Sequence, residues 1–233
     1  MTAVRTATSP EIAAGEPILV LPLGSFEQHG PHLPLDTDSR IIAAVVAAAL
    51  DHDEVDSGAF LVAPVLPVTA SDEHAGFAGT LSAGTDATAA AVVAICRSAS
   101  WARGVVIVNG HGGNTDALVR ATRDLVHEGI RHALWTLPHY AGGDMHAGRT
   151  ETSLMLHIEP SAVRTDRVPL FATEVPPGAI AAMREGGVAA VSDNGVLGDP
   201  SGATAEHGRA VLAMYGASLA RALAQCRLDW RSR

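Results

Sequence analysis

Short, fully apolar runs alternate along the chain with longer stretches whose apolar positions recur at helical spacing. Residues 18–23 and 105–108 are continuous apolar runs, suited to strands buried on both faces of a parallel sheet. Residues 60–68, interrupted by Pro64 and Pro67, read as a strand running into a rigid loop, and 133–137 as a further strand. Between them, residues 39–50 predict a helix. A second helix opens at Thr85-Asp86, ends near Trp101 and is stopped by Gly104. A third runs from Asn114 or Thr115 to Glu128 and is stopped by Gly129. Residues 150–158, ended by Pro160, and 203–227 complete the helices. Residues 161–200 are irregular and rich in Gly and Pro, and residues 1–16 read as a flexible tail. Strands alternating with helices imply an α/β fold, a mostly parallel sheet with helices on both faces and right-handed crossovers.

The 233 residues suffice for one sizeable domain, taken as 17–233, that buries roughly 70–75% of the surface of the unfolded chain. With 47% apolar and 18% charged residues, the composition is that of a folded globular protein. No apolar run reaches the ~18 residues of a membrane span. Nor does the start of the chain carry the apolar core of a signal peptide, so a cytoplasmic location is expected. The net charge of −9 argues against nucleic acid as a partner, because phosphate binding needs clustered Lys and Arg. Cys96 and Cys226 have no Cys or His at ligand spacing and read as reduced thiols.

What changes the picture is the polar chemistry that follows the strands. Glu27, His29, His32, Asp36 and Asp38 crowd the segment after 18–23. Asn109-Gly-His-Gly-Gly-Asn114 follows 105–108, and Asp144-Met-His-Ala-Gly-Arg-Thr-Glu151 follows 133–137. In parallel sheets, ligands bind at the carboxyl ends of the strands. Glu27, His29, Asp38, His111 and Glu151 are the candidate ligands for a pair of divalent metal ions. Three carboxylates and one bridging hydroxide would balance two dications, and Asp38 is the expected bridge. Such ions lower the pKa of a bound water towards ~7 and polarise an amide carbonyl, while His146 could protonate the leaving amine. Gly110, Gly112 and Gly113 would let backbone N–H groups approach a substrate oxygen. Singly, each residue has a plainer reading: His111 as a hydrogen-bonded turn residue, Glu27 as a cap. His32 and Asp36 read as turn-forming or supporting residues. No His-Glu-x-x-His helix, Gly-x-Ser-x-Gly elbow or complete dinucleotide fingerprint is present.

The segments Gly24-Ser-Phe-Glu-Gln-His-Gly-Pro-His-Leu-Pro-Leu-Asp-Thr-Asp38, Asn109–Asn114, His146-Ala-Gly-Arg-Thr-Glu-Thr-Ser153 and Glu73-His-Ala-Gly-Phe-Ala-Gly-Thr80 resemble the creatininase (creatinine amidohydrolase) family. The resemblance implies a three-layer α/β/α sandwich, two divalent ions (Zn, Fe or Mn), amide C–N cleavage and often a hexamer. It also implies Glu27, His29, Asp38 and His111 as metal ligands, His146 as proton shuttle, and Ser71 and His74 in a substrate loop. Creatininase itself places an aromatic residue and a metal-binding Glu where this chain has Gly112 and Gly113, so Glu151 is the expected replacement donor. The runs 146–156 and 194–204 look most like the mycofactocin-system peptidase branch, which removes a C-terminal dipeptide from a modified precursor peptide. Arg149 is then a candidate to hold the peptide carboxylate, since a guanidinium forks onto one, the plainer reading being a surface salt bridge. Alternatives are a small-molecule amidohydrolase acting on creatinine- or formamide-type substrates, or a metal-stabilised peptide-binding protein. The long, apolar-faced closing helix would suit a subunit interface of a homo-oligomer.

Overall fold

A computed structural model describes residues 7–169 and 178–230. Residues 1–6 of the expected tail and 170–177 of the irregular segment lie outside the described residues. In chain order the elements are α1 (Ser9–Gly15), β1 (Ile18–Leu23), α2 (Thr37–Leu50), β2 (Phe60–Val62), α3 (Gly84–Ser98), β3 (Val105–Asn109), α4 (Thr115–His127), β4 (His132–Thr136), α5 (Arg149–Ile158), α6 (Ala179–Gly186) and α7 (Ala205–Asp229). The strands form one parallel sheet of order β2-β1-β3-β4.

Successive side chains of a strand point to opposite faces, and β1 and β3 are apolar on both. Ile18, Val20, Val106 and Val108 pack against Ile42, Val45, Met155, Leu219 and Leu223 from α2, α5 and α7. Leu19, Leu21, Leu23, Val105 and Ile107 pack against Val92, Val93, Leu118 and Leu125 from α3 and α4. The result is the expected three-layer α/β/α sandwich.

Several details depart from the sequence reading. β2 ends at Val62, because Pro64 and Pro67 cannot donate to a ladder. Pairing resumes for one step, where Leu66 N donates to Pro22 O (2.9 Å). Within the expected tail, α1 forms because the Glu11 carboxylate accepts from both the N–H and the hydroxyl of Thr8. α6 lies inside the Gly- and Pro-rich segment, too short for a periodic signal. The apolar face of α7 is spent inside the chain: Val211, Tyr215, Leu219 and Leu223 are buried against α2 and α5.

That packing depends on backbone approach. A Cβ on Gly208 of α7 would lie 1.9 Å from Ser153 O on α5. Gly208→Ala therefore forces the two helices apart and should cost about 1–3 kcal/mol in chemical denaturation. Gly15→Ala, where a Cβ meets nothing within 4 Å, should leave the midpoint unchanged.

Candidate active site

Four loops leave the carboxyl edge of the sheet and converge. After β1 the chain turns back on itself, with Glu27 N donating to Leu35 O (2.9 Å). This turn seals Glu27 and His29 in the interior, both 0% exposed, and leads to Asp38 in the first turn of α2. After β3, Asn109 Nδ2 donates to His111 O (2.7 Å), holding the turn that presents His111. Asn114 ties three loops together: its Oδ1 accepts from Ala70 N (3.1 Å), and its Nδ2 donates to Gly24 O (3.3 Å) and Asn109 Oδ1 (3.0 Å). After β4, Asp144 accepts from Arg149 N and Thr150 N (2.9 Å) and so caps α5. Glu151 in the first turn of α5 is held by Ala147 N (2.6 Å). The fourth loop, after β2, brings Ser71, Glu73 and His74.

The side chains that meet are metal-ligand types. His29 Nδ1 donates to Glu27 O (3.1 Å), leaving Nε2 to face Asp38 Oδ1 (3.3 Å) and Glu151 Oε2 (3.7 Å). His146 Nε2 lies 2.8 Å from Gln28 O, leaving Nδ1 turned to Glu27 Oε1 (3.6 Å). A backbone carbonyl on one ring nitrogen frees the other for an ion or a proton. His111 has Asp38 Oδ2 at 3.0 Å from Nδ1, and Glu27 Oε2 at 3.2 Å from Nε2. His74 Nε2 is 3.3 Å from Glu27 Oε1, and its ring centroid is 4.4 Å from that of His146. Among the described residues, four overlapping groups could hold an ion: Glu27-His74-His146, His29-His146-Glu151, Glu27-Glu73-His111 and Glu27-His29-Asp38. Glu27 belongs to three of them. Both of its oxygens are buried with no hydrogen-bond partner, the condition in which a carboxylate fits a cation.

The electrostatics agree. Burial pushes Glu27 and Glu151 up to about 7. Burial also pushes Asp38 up, but His29 and His111 outweigh it and hold it well below the usual carboxylate range. Burial pulls His29 down, yet the Asp38 carboxylate carries it to about 9. His111 likewise rises well above its ordinary value, burial being overcome by Glu27, Asp38 and Glu73. His146 falls well below the ordinary imidazole value through burial and the neighbouring His29 and His74. It is therefore neutral at pH 7. A cavity of about 360 Å³ opens against Asp38, His111 and Glu151, walled by Thr136, Leu137, His139, Tyr140, Thr150 and Tyr215.

Residues 5–223 match the family model described as "Creatininase: Creatinine amidohydrolase". The chain belongs to the creatininase family. It is 50% identical over 214 residues to the "Mycofactocin precursor peptide peptidase" of Mycobacterium tuberculosis (strain CDC 1551 / Oshkosh), covering 89% of this chain and 85% of that protein. A crystal structure of creatinine amidohydrolase superposes at TM-score 0.74 and 25% identity, covering 96% of each chain. A structure titled "Creatininase Mn" shares the fold at TM-score 0.71 and 24% identity, covering 99% of each chain. Family membership makes the chain a hydrolase of amide bonds.

In this creatininase-family chain, all five expected ligands meet at one edge of the sheet, with His146 and His74 among them. Ser71 is buried with Oγ 3.4 Å from His111 Nε2. Gly112 and Gly113 form the turn before α4, with Gly112 on the cavity wall. Arg149 stands apart: its Nη2 donates to Gly142 O (2.8 Å), beside the cavity-lining Gly143. His32 supports α5 through Thr152 Oγ1 (2.9 Å), and Asp36 accepts from Arg40 Nε (2.8 Å).

Two residues escaped the sequence reading. Gln28 Oε1 accepts from Gly30 N (2.9 Å) and its Nε2 donates to Gly195 O (3.0 Å), which fixes the amide's orientation. The same Nε2 lies 2.9 Å from His74 Nδ1 and 3.1 Å from His146 Nε2. Glu73 turns its carboxylate onto His111, Oε1 to Nε2 3.4 Å. Its signal was the Asp72-Glu73-His74 triplet, placed after β2 as the other clusters are placed after their strands.

A pH dependence follows. Between pH 7 and 9 the metal-free folded protein keeps a proton on His29 that the unfolded chain has released, and the raised His111 acts in the same direction, so its stability falls as pH rises. The Tm of chelator-treated protein should drop across this window. With divalent metal present the drop should shrink, because liganded imidazoles are neutral in the folded state too.

Proposed function

We propose that this chain is a two-ion peptidase that removes a C-terminal dipeptide from the modified mycofactocin precursor peptide, acting in the cytoplasm. The observation that carries the reading is Glu27, a buried carboxylate with both oxygens unpartnered, at the centre of acids and imidazoles from four loops. Glu27, His29, Asp38, His111 and Glu151 would hold two divalent ions, drawn from Zn, Fe or Mn. Bound there, the ions supply Lewis acidity for the scissile carbonyl and acidify a water molecule.

The chain's own groups do the rest. His146 is neutral, with Nε2 held by Gln28 O and Nδ1 facing the cluster, so Nδ1 can accept a proton and return it to the leaving amine. Gln28 keeps that ring in place. A peptide rather than a small cyclic amide is favoured by the space. A second cavity, about 510 Å³, is lined by Asp72, Glu73, Gly113, Asp116 and Met183, and it shares Gly112 and Thr115 with the first. Its acidic wall repels a terminal carboxylate. The first cavity also carries carboxylates, on Asp38, Asp144 and Glu151, but Arg149 stands near its rim, which favours that side for the departing dipeptide with Arg149 as the proposed carboxylate clamp. A homo-oligomer, a hexamer by family resemblance, would draw on exposed apolar side chains such as Val119 and Val126 of α4 and Leu134 of β4.

Incubating the modified precursor peptide with the protein should release the dipeptide, detected by mass spectrometry, and a chelator should stop the release. His146→Ala should lower turnover by about 10²–10⁴-fold with bound metal unchanged. Turnover of only a creatinine- or formamide-type substrate would overturn the peptidase reading.

Gly112 tests the substrate path separately. A Cβ there meets nothing within 4 Å, so Gly112→Phe should fold and bind metal normally. The new ring would obstruct the saddle between the cavities. KM for the peptide should rise about tenfold, a loss of roughly 1.4 kcal/mol, with kcat nearly unchanged.

A further inference from the structure

The two glycines after His111 are not equivalent. At Gly112 a side chain would project into open space, but a Cβ on Gly113 would lie 2.0 Å from Glu73 Oε1, 2.4 Å from His111 Nε2 and 2.7 Å from Ala70 O. The volume in front of Gly113 is thus taken by a carboxylate from another loop. Glu73 is carried by the 3-10 turn Asp72–His74, and its neighbour Asp72 instead accepts from Ser82 Oγ (2.6 Å). Gly187 presses on this turn from behind, a Cβ there falling 2.7 Å from Glu73 O.

His111 Nε2 is surrounded by oxygen. Ala70 O stands at 2.9 Å, Glu27 Oε2 at 3.2 Å and Glu73 Oε1 at 3.4 Å. One N–H serves one acceptor well, and the two carboxylates repel each other when both are ionised. Glu27 Oε2 is also buried and unpartnered. A dication in place of that proton would satisfy the nitrogen and the oxygens together. The other ring nitrogen, Nδ1, faces Asp38 Oδ2 at 3.0 Å, so both sides of the His111 ring are turned to carboxylates of the proposed centre.

We infer that Glu73 is a metal ligand of this chain, closing one ion site with Glu27 and the Nε2 of His111. The inference rests on the proposed two-ion centre and adds its fourth carboxylate. Glu27, Asp38 and Glu151 leave two dications with one net positive charge, and Glu73 brings the site to neutrality without an added anion. It also places a ligand at the border of the second cavity, which the Glu73 side chain lines.

Metal stoichiometry and affinity test this without an activity assay. Wild type, Glu73→Gln, Glu73→Asp and Glu27→Gln would be stripped, reloaded with Zn²⁺ or Co²⁺, and titrated against a chromophoric chelator. Circular dichroism would confirm that each is folded. Wild type should bind two ions. Glu73→Gln should keep one tight ion and bind the second at least about tenfold more weakly, with an altered Co²⁺ visible spectrum. Glu73→Asp, one methylene shorter, should fall between. Two ions with wild-type affinities and an unchanged Co²⁺ spectrum in both Glu73 variants would overturn the assignment while leaving the two-ion centre intact. A wild type that binds no ion, as Glu27→Gln would then also fail to do, would instead sink the centre itself.

Discussion

A carboxylate sealed from water without a hydrogen bond is unstable as an anion unless positive charge stands beside it. Glu27 is in that position, with both oxygens buried and unpartnered. Around it the chain sets three imidazoles, on His74, His111 and His146, each within 3.6 Å of one of its oxygens. The rest of the site can be read as the machinery that keeps those groups in place. Asn114 staples three loops, Gln28 spans two histidines, and Asp144 caps the helix that presents Glu151.

The imidazoles are held in opposite states by their surroundings. Carboxylates keep His29 and His111 protonated when no metal competes, whereas burial and neighbouring rings keep His146 and His74 neutral. The first pair carries protons that an arriving cation would displace, and the second pair carries none at pH 7. Environment alone sets these opposite states in one residue type, through charge and desolvation acting in opposite directions.

Much of this was readable before any coordinates. Strands buried on both faces announce themselves as unbroken apolar runs, and β1 and β3 do so. The rule that ligands gather where parallel strands end located Glu27, His29, Asp38, His111 and Glu151 together. Other features were hidden for identifiable reasons. Periodicity cannot register a helix of two turns, so α6 went unseen, and the Thr8–Glu11 capping signal was overlooked in an aperiodic stretch. The long apolar stripe of α7 looked like a surface for a second subunit, because pattern alone does not say which neighbour a face covers; α2 and α5 cover it here. Gln28 carries no charge to attract notice. Glu73 was missed because the loop after β2 opens with prolines and an apolar stretch, and its polar residues come late. Glu151 was the expected substitute for the acid absent at position 113, and it does reach His29, but the space before Gly113 holds Glu73.

The wide spacing of the converging side chains, from residue 27 to residue 151, bears on how the molecule comes to be made. None of the four loops holds the whole constellation, and among the described residues every β pairing is a parallel one requiring a long crossover. Contacts so distant along the chain are slow to close. A polypeptide emerging from synthesis therefore has no preassembled chelate to offer until all four strands have docked. Ions that bind only the finished architecture act as a latch on it, adding about 2.7 kcal/mol at a free concentration one hundred times Kd. Scarcity of metal in the cell would then be felt as a shorter-lived protein as well as an idle one.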